Sequence, residues 1–244
     1  MQKKSHFQII DIARGGAIAL MFIYHFCFDL NYFGIVSFYF TTDPFWLNFR
    51  TIIVSCFLFI MGVSMAIATN KSLNLKNYLK RLAIILAYAA IVSLSSYLMY
   101  PKSMIFFGIL HFVAAATVLA LIFTRLYWTN LILGIVIVIF SASFEFRIFD
   151  LAYLQWFGLM THKPLTEDYV PLIPWFGVVL IGLFFGKLVF LNKSSAFSKK
   201  CQNWSTNVRI AKIFAFGGRH SLHIYMLHQP IFIGLLYIIL SVTG

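Results

Sequence analysis

Four ionisable residues, Asp11, Arg14, His25 and Asp29, sit in an otherwise apolar stretch near the N-terminus, DIARGGAIALMFIYHFCFD. On a helix that advances about 100° per residue, Arg14 falls about 60° and His25 about 40° to one side of Asp11, and Asp29 returns to the angle of Asp11. One stripe carries all four. Asp11 and Arg14, three residues apart, are placed to pair. His25 lies about 16 Å further along the axis, and Asp29 is one turn beyond it. A carboxylate that accepts one imidazole N–H leaves the other ring nitrogen as a base, so His25 and Asp29 are candidates for proton transfer. The plainer alternative is a polar seam that holds helices together.

A second group lies in the last apolar segment, GRHSLHIYMLHQP. Ser221, Tyr225 and His228 share a helical face, and Pro230 interrupts the hydrogen-bond ladder. Tyr225 and His228 are candidates for lining a substrate or stabilising an oxyanion. His220, His223 and His228 do not share one face and no carboxylate accompanies them, so no metal is expected.

The remaining candidates are isolated. In EDYVPLIPWFG, Asp168 is expected to cap the helix that follows, with Pro171 and Pro174 in its first turns and Trp175 at the membrane interface. Asp168 also stands where an acceptor hydroxyl or amine would approach. Lys80 and Arg81 read first as topological charge and second as anchors for phosphate. His111, in FFGILHFVAAA, is a packed histidine first and a substrate contact second.

The elements that position these residues are transmembrane helices. The chain has 244 residues, 61% of them hydrophobic and 11% charged. That balance excludes a soluble domain. Apolar runs of about 20 residues, the length that crosses a bilayer, recur throughout. The expected architecture is all-α, a polytopic transmembrane helical bundle forming one integral membrane domain over residues 1–244. About seven spans are predicted, at 8–28, 46–69, 77–99, 104–124, 128–145, 170–191 and 219–242. The first is read as a retained span and not a cleavable leader. Residues 146–169 are an outer loop or a re-entrant segment, and 205–217 are expected to form a short interfacial helix.

The net charge of +12 would point to nucleic acid in a soluble protein. Here the cations cluster in alternate loops, at Lys3, Lys4, Lys71, Lys76, Lys80, Arg81, Arg125 and the stretch from Lys187 to Arg219. The positive-inside rule then places the N-terminus in the cytoplasm. The expected partner is the lipid bilayer, with no nucleic acid. Three cysteines without a spacing pattern give no disulfide framework.

The ordered set from DIARGGAIALMFIYHFCFDLNYFG through FLFIMGVSMA, GILHF and DYVPLIPWFG to GRHSLHIYMLHQP resembles a bacterial member of the heparan-alpha-glucosaminide N-acetyltransferase catalytic-domain family. The resemblance covers nearly the whole chain. It implies a multi-pass enzyme of the bacterial inner membrane that moves an acetyl group from cytoplasmic acetyl-CoA to an extracytoplasmic saccharide, or another amine or hydroxyl acceptor. In related membrane acyltransferases an Arg-Gly pair is followed ten residues later by histidine, which here falls on Arg14, Gly15 and His25. On this reading Asp11, Arg14, Lys80, Arg81 and Arg219 form the mouth that holds the cosubstrate. His25, Asp29, His228 and Tyr225 perform the chemistry, and His111, Asp168 and Trp175 meet the acceptor. A homodimer is one expected state. The rival readings are a proton-coupled small-molecule transporter and a non-enzymatic membrane scaffold, since buried ionisable groups serve those roles as well.

Overall fold

A computed structural model describes residues 7–70, 73–99, 101–192 and 195–243. Lys3, Lys4, Lys71 and Lys193 lie outside the described residues. Among the described residues there are only helices, turns and loops. The helices are α1 (Gln8–Tyr32), α2 (Pro44–Thr69), α3 (Leu75–Met99), α4 (Ile109–Phe123), α5 (Trp128–Ser143), α6 (Leu172–Gly186), α7 (Ala196–Asn203), α8 (Arg209–Arg219) and α9 (Ser221–Thr243). A wider π-helical turn, Lys187–Leu191, extends α6. Each predicted span thus falls on a helix, and the short helix expected over 205–217 is α8, Arg209–Arg219.

Five of these helices, including α6 with its extension, are long and apolar enough to cross a membrane. The 15 residues of α4 and 16 of α5 reach only about 22–24 Å at 1.5 Å per residue. Residues 146–169 form neither a span nor a long helix. They hold two short 3₁₀ turns, Arg147–Asp150 and Gln155–Phe157. In that loop Asp150 accepts hydrogen bonds from the Thr161 amide (2.9 Å) and hydroxyl (2.8 Å). These bonds hold its carboxyl below the usual carboxylate range.

The chain divides into two compact units, residues 1–57 with 199–244, and residues 58–198. In the first unit α1 packs on α8 and α9. The α1–α8 contact is set by two glycines. A Cβ on Gly15 would strike the backbone carbonyl of Phe214, and a Cβ on Gly218 would strike that of Asp11. Small residues let the backbones approach where lipid supplies no hydrophobic drive. The end of α1 is closed by Gly34 at φ +73. The Ile35 amide donates to Leu30 O (2.9 Å) and the Gly34 amide to Asn31 O (3.1 Å), the paired bonds of a Schellman cap. Asp43 then caps α2 through the Phe45 amide (2.8 Å), with Pro44 in the first helical position. An aromatic knot of Tyr24, Phe40 and Trp46 buries Ile18 and Met21 beneath it.

In the second unit α6 is the central helix, and Val179, Leu180 and Leu183 on it are fully buried. Gly177 of α6 meets Gly134 of α5 backbone to backbone, and Gly182 meets the Phe59 carbonyl. Asn130, also fully buried, ties the α4–α5 turn by donating to Phe123 O (3.0 Å) and Leu126 O (2.8 Å).

The two adjacent glycines of α1 differ in surroundings. A Cβ at Gly15 clashes, whereas a Cβ at Gly16 meets nothing within 4 Å. Gly15→Ala is therefore expected to cost about 1–3 kcal/mol by overpacking. Gly16→Ala is expected to be neutral or to stabilise by up to about 1 kcal/mol through helix propensity. Thermal denaturation of the two variants in detergent checks this, and equal melting temperatures would contradict it.

Candidate active site

Where α1 meets α9 in the first unit, four of the predicted side chains come together or nearly so. The rings of His25 and His228 lie 4.9 Å apart between centroids and are inclined at 64°. His228 is 4% exposed. It stacks on Phe22 (5.7 Å) and meets Phe232 (6.0 Å) edge-on and Tyr225 (5.4 Å) at a tilt. Its Nδ1 is 2.5 Å from the Tyr225 carbonyl oxygen. A carbonyl only accepts, so Nδ1 must carry the proton. In the neutral ring Nε2 then holds the lone pair. That Nε2 is buried and has no hydrogen-bond partner among the described residues.

Asp29 is 3% exposed. Its Oδ1 accepts from Gln229 Nε2 at 3.1 Å. The expected hydrogen bond between Asp29 and His25 is not among those formed by the described residues. One turn of separation aligned the two along α1, but α9 presents an amide donor to the carboxylate. Asp29 Oδ2 and Gln229 Oε1 are buried and have no hydrogen-bond partner among the described residues. Gln229 is the site residue that sequence reasoning passed over. Its signal was available, since it follows Tyr225 by four residues and so extends the stripe of Tyr225 and His228. Ser221 lies at the start of α9, while His220 and His223 are exposed. The His220 Nδ1 is instead 3.0 Å from the Phe216 carbonyl.

At the other end of α1 the predicted pair is present. Arg14 Nη1 lies 3.6 Å from Asp11 Oδ1. The same Nη1 donates to Gly218 O at 3.2 Å, so Arg14 ties α1 to α8. Gln8 adds a reciprocal clamp, donating to Thr206 O (3.1 Å) and accepting from its amide (2.9 Å). Arg219 is exposed at the end of α8.

The other candidates belong to the second unit. Lys80 and Arg81 are exposed in the first turns of α3. His111 Nδ1 accepts from the Gly108 amide (3.3 Å), and its Nε2 is 3.1 Å from Ser93 Oγ. Both ring nitrogens are thereby engaged in building the start of α4. Asp168 caps α4 and not α6 as expected, its Oδ2 accepting from the Ile109 amide at 2.8 Å. Gly108 makes room for it, because a Cβ there would meet that carboxylate. Ahead of α6 the chain is extended through Pro171 and Ile173. The bond between Ile173 and Pro174 is cis. Ile173 itself has extended dihedrals, and regular helix follows it. Trp175 follows, half-buried.

Among the described residues no three His, Cys, Asp or Glu side chains gather as a metal site. Two surface cavities are lined elsewhere. One, about 520 Å³, lies between α1 and α8, and the other, about 330 Å³, lies between α3 and α4 beside His111.

Residues 6–230 match the sequence model of the heparan-alpha-glucosaminide N-acetyltransferase catalytic family. The chain belongs to that family. Its apolar helices make it a multi-pass membrane protein, and the family places it among membrane acyltransferases. No curated protein and no solved structure matched the chain.

The cap from Asp168 to α4 carries a structural expectation. Asp168→Ala leaves the Ile109 amide without its acceptor and is expected to cost about 1 kcal/mol. Asp168→Asn, which keeps an acceptor oxygen, is expected to cost less. A melting-temperature comparison of the three proteins checks this, and a larger loss with asparagine would contradict it.

Proposed function

We propose that the chain transfers an acetyl group from cytoplasmic acetyl-CoA to an amine or hydroxyl of an extracytoplasmic saccharide-like acceptor, with the histidine pair of α1 and α9 as the proton-handling centre. The observation that carries this reading is His228. Its tautomer is set by the Tyr225 carbonyl, and its basic nitrogen is buried beside His25 with nothing else to hold. Family membership supports the acyl chemistry and the donor. The loop cations support a cytoplasmic N-terminus.

Acetyl-CoA supplies the activated carbonyl carbon, whose C–S bond breaks as the C–N or C–O bond to the acceptor forms. The protein's part is to move the proton. The acceptor's N–H or O–H gives its proton to the lone pair of the His25–His228 pair, and the same proton returns to the departing sulfur. Taking up that proton makes the pair cationic. The carboxylate of Asp29, steadied by Gln229 on the same two helices, offsets that charge. The Tyr225 ring packs on His228, and its phenol is assigned to steady the developing oxyanion.

At the cytoplasmic end Arg219 of the first unit is exposed and suited to phosphate. Arg14 contributes by keeping α1 and α8 together, with Asp11 as its counter-charge. In the second unit Lys80 and Arg81 are exposed cations of the same kind. His111 and Asp168 are assigned to construction of α4, and Trp175 keeps its role as an interfacial acceptor contact.

Purified protein given acetyl-CoA and an amino sugar is expected to release free thiol. His25→Ala and His228→Ala are each expected to lower turnover about 10²–10⁴-fold, the usual worth of a positioned acid–base group, without displacing the melting temperature of the protein by a comparable amount. Undiminished turnover in both variants would overturn the assignment.

A further inference from the structure

The loop that follows α5 has one apolar edge and one polar edge. Phe144 and Phe146 both have extended dihedrals, so alternation puts their rings on one side and Glu145 on the other. The two rings are nearly parallel, 6.5 Å apart between centroids. In the 3₁₀ turn Arg147–Asp150, residues three apart eclipse one another. Arg147 and Asp150 therefore share one edge, and Ile148 shares the other with Leu151. Phe144, Phe146, Ile148, Leu151 and Tyr153 are between 41% and 70% exposed. The polar edge is tied to the far end of the loop, where Asp150 accepts from Thr161 and lies 3.5 Å from His162 Nδ1.

Continuity with the lipid-facing side of α5 says what covers the apolar edge. On α5, Ile132, Val136, Ile139 and Phe140 are exposed at the spacing of one helical stripe. Phe144 extends that stripe by one turn, and its ring stacks on Phe140 at 4.7 Å. The 16 residues of α5 reach about 24 Å against a hydrocarbon core of about 30 Å, so its lipid face lacks about 6 Å. The loop is also able to lie near that depth. The Phe146 amide donates to Leu159 O (2.7 Å), that of Phe149 to Phe146 O (3.0 Å), that of Leu154 to Leu151 O (2.8 Å) and that of Phe157 to Leu154 O (2.9 Å). Non-helical backbone beside lipid needs such internal bonds. Two side chains fasten the loop to its unit. The Tyr169 phenol donates to Gln155 O (2.6 Å), and the Trp156 ring lies 6.0 Å from that of Phe107.

The geometry points to residues 144–153 as an interfacial anchor, seated in the bilayer leaflet at the C-terminal end of α5. Its partner is the boundary between acyl chains and head groups, where aromatic side chains concentrate. Phe144, Phe146, Ile148, Leu151 and Tyr153 enter the upper acyl chains, and Arg147, Asp150 and His162 face water. The apolar edge supplies the thickness that α5 lacks, so a short helix is matched to the bilayer without thinning it.

The test uses the full-length wild-type protein in phosphatidylcholine nanodiscs, which leave both membrane faces open to water. One sample contains phosphatidylcholine with an aryl diazirine on its acyl chain near the glycerol, and the other receives a water-soluble aryl diazirine. After photolysis the adducts are mapped by peptide mass spectrometry. The lipid-borne probe is expected to label Ile148, Leu151 and Tyr153 as strongly as the exposed stripe of α5, and several-fold more than His162 and Lys163, which are exposed beyond the polar edge. The water-soluble probe is expected to give the reverse order. The double variant Ile148→Glu, Tyr153→Glu is expected to lower lipid labelling of Phe144 and Phe146 several-fold and to leave that of Ile132 and Val136 unchanged. Labelling of Ile148 and Tyr153 by the water-soluble probe at the level of His162 overturns the proposal and makes the edge a surface for a soluble ligand. Labelling by neither probe also overturns it and gives the edge to a second copy of the chain. Acyl transfer is not part of this readout, so its outcome stands apart from that of the histidine variants.

Discussion

A helix that carries two carboxylates, a guanidinium and an imidazole into a membrane must find each of them a polar neighbour, since an ionisable group near the bilayer centre costs about 2.5–3.5 kcal/mol on insertion scales. The packing around α1 follows from that requirement. At one end the Asp11–Arg14 pair is completed by the Gly218 carbonyl of α8. At the other, Asp29 is completed by Gln229 of α9. Since α8 and α9 follow one another directly in the chain, both ends of α1 are served by one continuous segment. Glycines at the α1–α8 crossing bring the backbones close enough for Arg14 to reach a main-chain carbonyl.

This arrangement separates structure from chemistry along one helix. At the N-terminal end Arg14 is consumed in holding α1 to α8. The opposite end holds acceptors that lack donors. There the Asp29 Oδ2, Gln229 Oε1 and His228 Nε2 atoms are buried, with no hydrogen-bond partner among the described residues. All three are acceptors once the His228 proton is fixed on Nδ1. A cluster of buried acceptors without donors is costly unless something with N–H or O–H groups visits it. The incoming nucleophile of an acyl transfer is such a group.

The second unit illustrates the opposite outcome for residues of the same types. His111 and Asp168 carry the chemistry of a base and a carboxylate, yet both are used up at one helix start. The loop before α6 delivers Asp168 to α4 because Gly108 leaves space for it. The glycines along α6 let it serve as the centre against which neighbouring helices pack.

The sequence by itself determined the helices. Their extents follow from runs of apolar residues whose length matches the bilayer. It also determined the Asp11–Arg14 pair and the amphipathic α8, because both rest on spacing within one helix. Contacts between helices were decided only in three dimensions. That Asp29 pairs with Gln229 and not His25, that Asp168 caps α4 and not α6, and that Gly15 is packed while Gly16 is open all depend on which element lies opposite. Helical periodicity fixes the direction in which a side chain leaves its own axis. The partner it meets there is set by a helix up to two hundred residues away in the chain.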